Sequence, residues 1–134
     1  MIKKIAIIGG GAAATLLLTH LSRLDTKGLS IDVYDRTARF ARGVAYSTRR
    51  DTHLLNVRAA NMSGLQDDKD HFARWVSSAY TPLDFVPRKL YGEYLSGLLE
   101  EARQRLNIKA VACDVVSSVR DADGLYTLSL ATGD

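Results

Sequence analysis

Lys3-Lys4-Ile5-Ala6-Ile7-Ile8-Gly9-Gly10-Gly11-Ala12-Ala13-Ala14-Thr15 sets a short apolar run, three glycines and a helix-forming stretch in immediate succession. A buried strand that turns on glycines into a helix is the setting in which G-x-G-x-x-G/A marks a dinucleotide pyrophosphate site. Gly9 permits the tight turn out of the strand. Gly11 has no Cβ, so the backbone can approach phosphates closely. Ala14 stands where a third glycine often sits and is small enough for helix and strand to pack. The N–H groups around Gly10, Ala12 and Ala13 are then the free donors of the first helical turn, where the helix dipole favours an anion.

A second chemical group lies at the expected distance. Ser30-Ile31-Asp32-Val33-Tyr34-Asp35 reads as a strand ending in an acid, and Asp35 falls about 20 residues past the glycines, where a carboxylate accepts hydrogen bonds from an adenosine ribose. Asp32 is the competing acid, but it lies inside the strand. Arginines cluster just beyond: Arg36, Arg39, Arg42, Arg49, Arg50 and Arg58 share a stretch whose one acid is Asp51. That pattern fits a phosphate-facing loop, a nucleic-acid patch or solvated surface charge. No nucleic-acid recognition motif accompanies it, and Arg49 and Arg50 read as surface residues.

The elements that must position these groups are legible in outline. Strands are expected at Lys3–Ile8, Ser30–Tyr34 and Ile108–Cys113. After the glycines a helix carries the apolar residues Leu17, Leu21 and Leu24 at helical spacing, and Lys27-Gly28 ends it. From Arg36 to Pro87 runs a connection far longer than the usual link of about 2–6 residues, which marks it as functional. Inside it, Asp67, Asp68 and Asp70 open a helix whose face is Phe72, Trp75, Val76 and Ala79, with Trp75 as a packing anchor. A longer helix over about Lys89–Leu106 buries Leu90, Tyr91, Tyr94, Leu95, Leu98, Leu99 and Ala102. Residues 115–134 read as a β-meander, with Val115 to Arg120 and Leu125 to Ala131 joined through Asp121-Ala122-Asp123-Gly124. Ala131-Thr132-Gly133 is read as the turn after its last strand.

Composition narrows the classes. With 134 residues, 46% hydrophobic content and a net charge of +3, the chain holds one ordinary globular domain. The glycines interrupt the apolar stretch after Lys3 and Lys4, and no small-residue cleavage site follows, so it is not a secretory leader. No run is long and apolar enough to span a bilayer. A single cysteine, Cys113, excludes a disulfide framework or CxxC centre, no metal cluster is evident, and the chain reads as cytoplasmic. The size is short for a complete dinucleotide-dependent enzyme, so the expectation is an N-terminal part of a single, longer domain.

Five segments carry a resemblance: Ile7-Ile8-Gly9-Gly10-Gly11, Gly43-Val44-Ala45-Tyr46-Ser47, Leu54-Leu55-Asn56-Val57-Arg58-Ala59, Asp70-His71-Phe72-Ala73-Arg74-Trp75, and Pro87-Arg88-Lys89-Leu90-Tyr91-Gly92-Glu93-Tyr94-Leu95. In this order they resemble the bacterial FAD/NAD(P)-binding proteins with a glutathione-reductase-like Rossmann domain, distantly similar to flavin-dependent N-hydroxylating monooxygenases. The resemblance implies an α/β Rossmann-type fold with a parallel three-stranded core, incomplete at its C-terminal side, and FAD as cofactor. It also implies roles: Gly9, Gly11 and Ala14 on the pyrophosphate, Asp35 on the ribose, and Arg36 and Arg42 flanking the adenosine half. Asn56 to Ala59, including Arg58, would approach the flavin, Arg88 would add a contact, and backbone near Ala112 or Asp114 would meet the adenine edge. Ala13 and Ala14 stand where many members carry a glycine.

No catalytic residue is named from the sequence. With a flavin bound, the cofactor does the redox chemistry and the protein orients it. His20 reads as a surface or half-buried residue, His71 as solvated, His53 as a residue able to face the cofactor, and Cys113 as a small core residue. Arg58 and Arg88 sit among apolar residues, where an arginine takes an anionic partner. Three functions stay open: a flavin oxidoreductase or monooxygenase portion, an NAD(P)-binding half-domain of a reductase or dehydrogenase, and a non-catalytic nucleotide-binding module. The substrate is not readable. An exposed sheet edge near the first strand is expected to drive dimerisation.

Overall fold

The computed structural model describes residues 3–132, so Gly133 of the expected final turn lies outside the described residues. Strand β1 (Lys3–Ile8), helix α1 (Ala12–Leu21) and strand β2 (Leu29–Tyr34) come first. The long connection follows, with a 3-10 turn (Ala59–Asn61) and helix α2 (His71–Trp75). Helix α3 (Arg88–Arg105), strand β3 (Asn107–Val111), and strands β4 (Val115–Arg120) and β5 (Tyr126–Leu130) complete the order.

β1, β2 and β3 form a parallel sheet in that order, with Lys3 opposite Leu29 and Ser30 opposite Asn107. Side chains alternate across a strand, so Ile7, Ile31 and Val33 face one side, against Leu18 of α1 and Ala102 of α3. Lys4, Ala6, Asp32 and Tyr34 face the other side, across a cleft from the β4–β5 hairpin. Asp32 is buried there in an ion pair with Lys4 at 2.9 Å, a structural role that separates it from Asp35.

Helix α1 buries Ala14, Thr15, Leu18 and Thr19; of the predicted leucine stripe Leu21 packs against the core, whereas Leu17 is 49% exposed and Leu24, beyond the helix end, 65%. The threonines can be buried because their hydroxyls donate to the helix's own carbonyls, Thr15 to Gly11 at 3.0 Å and Thr19 to Thr15 at 2.8 Å. Small, self-satisfied residues let α1 lie close to both the sheet and α3.

The long connection folds over the outer side of α3. Leu55, Ala59, Leu65, Phe72, Val76 and Val86 close a second core on Tyr91, Tyr94, Leu95 and Leu98. Its middle runs beside its C-terminal end, the Leu55 N–H donating to the Val86 carbonyl at 2.9 Å and the Ala59 N–H to the Asp84 carbonyl at 2.9 Å. Helix α2 is shorter than expected and ends before Ala79. Asp67 and Asp68 do not cap it; they pair with Arg23 and Arg74. Trp75 is 45% exposed, with one face against Phe72.

The expected meander is, among the described residues, a two-stranded antiparallel hairpin. Its turn is built by the Asp121 carboxylate, which accepts from the N–H groups of Asp123 at 3.0 Å and Leu125 at 2.9 Å. No helix among the described residues is long and apolar enough to cross a membrane.

Candidate functional site

The site forms at the carboxyl ends of β1 and β2. The Gly9 N–H donates to the Tyr34 carbonyl at 2.7 Å, the last rung of the ladder, and the chain then turns with Gly9 at φ +97°. A Cβ at Gly9 would meet nothing within 4 Å, so this side of the loop faces open space. The other side is closed: a Cβ at Gly10 would come within 2.6 Å of the Phe40 ring.

Helix α1 starts without a side-chain cap. The Thr15 N–H is taken up by the Gly11 carbonyl at 3.1 Å, which leaves Ala12, Ala13 and Ala14 as first-turn donors with no acceptor inside the helix. Gly11 makes a close approach of its own. Its Cβ position lies 3.4 Å from the Cα of Gly43, which is itself left-handed at φ +57° and passes over the start of α1.

Asp35 is fixed by its surroundings. One carboxylate oxygen accepts from the Gly10 N–H at 2.9 Å; the other accepts from the Thr37 N–H at 2.8 Å and the Thr37 hydroxyl at 2.7 Å. Partial desolvation pushes its carboxyl upward, but the bonds from Thr37 and Gly10 outweigh it, and the net shift is downward. The Arg39 backbone also favours the ionised form, so the carboxylate sits within a ring of donors and a ligand hydroxyl would share an oxygen with them.

The arginine loop is tied to the glycine loop. Ala38 at φ +54° and Ala41 at φ +69° hold left-handed conformations rare for alanine, and the Ala41 N–H donates to the Gly10 carbonyl at 2.8 Å. This backbone turns Arg39 and Arg42 into an open cleft of about 940 Å³ that also takes in Ser47, Thr48, Arg49, His53 and Arg88. His53 Nδ1 lies 2.7 Å from the Thr48 hydroxyl. The Arg88 N–H donates to the His53 carbonyl at 2.7 Å and its Nε to the Leu54 carbonyl at 3.0 Å, so this guanidinium is set by backbone rather than by an acid.

Open space before Gly9, three uncapped donors and an ionised carboxylate at the strand ends form a cradle that a dinucleotide diphosphate and its sugar fit. Residues 6–134 match a protein family described as FAD-NAD(P)-binding. The chain belongs to this FAD/NAD(P)-binding family. No curated protein matches it by sequence. Cyclohexanone monooxygenase from Rhodococcus sp. Phi1, solved with NADP+ bound, superposes with a TM-score of 0.66 at 17% identity, over 100% of this chain and 24% of that one. S-allyl-L-cysteine S-oxygenase from Allium sativum gives 0.60 at 18% identity, over 99% and 33%. A lysine monooxygenase from Nocardia farcinica gives 0.54 at 12%, over 96% and 39%. The likeness is one of fold, and this FAD/NAD(P)-binding chain spans between 24% and 39% of those three chains.

Within the FAD/NAD(P)-binding domain, the predicted residues fall into two groups. Gly9, Gly10, Gly11, Ala12, Ala13, Ala14 and Asp35 converge on the loop, with Arg42 and Arg88 in the adjoining cleft. Arg36 is exposed beside Asp35 and outside that cleft. Asn56 and Arg58 lie on the extended segment paired with residues 82–87, and Arg58 rests over the Phe85 ring at 5.9 Å instead of meeting an acid. Arg39 also lines the cleft, and so does Arg49, which reads from sequence as a surface residue and is exposed; the clustering of arginines in the sequence is the signal that points to both.

Proposed function

We propose that this chain is the FAD-binding part of a cytoplasmic flavin-dependent oxidoreductase or monooxygenase, holding the ADP half of FAD on the Gly9–Gly11 loop and Asp35. The observation that supports it most is the meeting of the uncapped start of α1 with the Asp35 carboxylate at the ends of two parallel strands. The N–H groups of Ala12, Ala13 and Ala14 bind the diphosphate, and the Asp35 carboxylate accepts from a ribose hydroxyl. Arg36 and Arg42 flank the adenosine half. Arg88 and the Asn56–Ala59 segment with Arg58 lie toward the flavin.

Bound FAD supplies the electron chemistry, and the chain's residues bind and orient it. The NAD(P) alternative rests on Arg36 next to Asp35, a cation that would meet a 2′-phosphate. The FAD reading is preferred because the 36–87 connection builds its own core and the arginine cleft, more than a plain nicotinamide βαβ unit needs.

Absorbance of the purified protein, with calorimetry against FAD, NADH and NADPH, tests the reading. A yellow chromophore or selective FAD binding is expected, and Asp35→Asn should weaken it by about 1.5–3 kcal/mol, the worth of hydrogen bonds to a charged acceptor. Binding of a nicotinamide dinucleotide alone would replace FAD with NAD(P). No affinity for any adenine dinucleotide would end both readings.

A further inference from the structure

The second core contains a run of redox-capable rings that dinucleotide binding does not use. Trp75, the chain's single tryptophan, is 45% exposed. Its ring centre lies 5.7 Å from that of Tyr94, which is 1% exposed. Tyr94 lies 5.5 Å from Tyr91, and Tyr91 4.9 Å from Tyr46. Tyr46 sits between Ala45 and Ser47, both on the wall of the arginine cleft. The rings therefore lead in contact steps from the protein surface to the lip of the candidate cofactor site.

One ring in this series meets a base. The Tyr94 hydroxyl oxygen accepts from the Gly64 N–H at 3.0 Å and lies 2.8 Å from His71 Nδ1. In the tautomer that carries its proton on Nε2, His71 accepts the Tyr94 hydroxyl hydrogen at Nδ1. His71, expected from sequence to be solvated, is half-buried against the Tyr94 ring. A phenol that loses an electron becomes a strong acid, so a tyrosine gives up an electron readily only where a neighbour can take its proton. Tyr94 has that neighbour.

We propose that Tyr94 and His71 form a proton-coupled redox pair, with Trp75 as its contact with the surface and Tyr91 and Tyr46 as its contact with the cleft. A one-electron oxidant, in the cell a radical derived from dioxygen, takes an electron from Trp75. Tyr94 returns an electron to the Trp75 radical cation and passes its hydroxyl proton to His71 Nδ1. The products are neutral Trp75, a tyrosyl radical at Tyr94 and an imidazolium at His71. The pair moves the oxidising equivalent from the surface onto Tyr94 and holds it there, and the proposal does not depend on which dinucleotide the chain binds.

Flash oxidation of the full chain by a soluble ruthenium polypyridyl photo-oxidant, followed by transient absorption and electron paramagnetic resonance, reads this directly. The Trp75 radical is the readout, because the chain has no other tryptophan. In the parent protein it decays as a tyrosyl radical grows, with a solvent deuterium isotope effect. Tyr94→Phe should abolish that transfer and leave the Trp75 radical long-lived. His71→Gln, which keeps an acceptor but no base, should slow the decay and remove the isotope effect. A cooperative melting transition in each variant establishes that the core has folded. A Trp75 radical that decays at the parent rate in both variants, or Trp75 that resists oxidation altogether, would overturn the proposal.

Discussion

Asp35 is preorganised: its carboxylate is already anchored to Gly10 and Thr37 before any ligand arrives. Its folded pKa lies below the ordinary value, so these bonds stabilise the fold at neutral pH and that contribution is lost as acidification protonates the group. Asp35→Asn should therefore flatten the acid limb of stability below about pH 4, the ordinary carboxylate range, in urea titrations across pH. The alanines of the arginine loop offer an opposite test. At Ala38, exposed and left-handed, removing the Cβ relieves strain at a smaller entropic cost, and Ala38→Gly should stabilise by about 0.5–1 kcal/mol with an unchanged urea m-value. Gly43→Ala should cost about 1–2 kcal/mol, since its new methyl would be left-handed and within 3.2 Å of Gly11 Cα. These two positions were not distinguishable from sequence, because a left-handed alanine has no local signature.

Helix α1 shows how an element can be recognised while its buried face is missed. Helical spacing of leucines located the helix, but the residues against the sheet include two threonines whose hydroxyls bond back along the helix. Leu17→Ala on the exposed side should change stability by no more than about 0.5 kcal/mol. Leu95→Ala in α3, fully buried where the connection packs, should cost about 2–5 kcal/mol by equilibrium unfolding. α3 was read correctly on both counts, since its apolar stripe is long and unbroken. α2 was not: its acids find arginine partners in Arg23 and Arg74 instead of its own N–H groups.

For the whole molecule, β1 is an edge strand, and Ile5 and Ile8 on it are 39% and 58% exposed. Such an edge offers unpaired backbone groups to another strand. The chain should associate through it, and sedimentation at several concentrations measures this. A monomer at every concentration would refute that expectation.

The βαβ order, the glycine turn, the acid closing the second strand and the long apolar face of α3 are legible along the chain, because each is written in local spacing and backbone chemistry. That Asp35 bonds to Gly10, that Gly43 seats against Gly11, and which arginines share a cleft emerge with folding. So does the seating of His71 on Tyr94. Those are contacts between segments distant in the chain, and no local periodicity encodes which distant partner a residue meets.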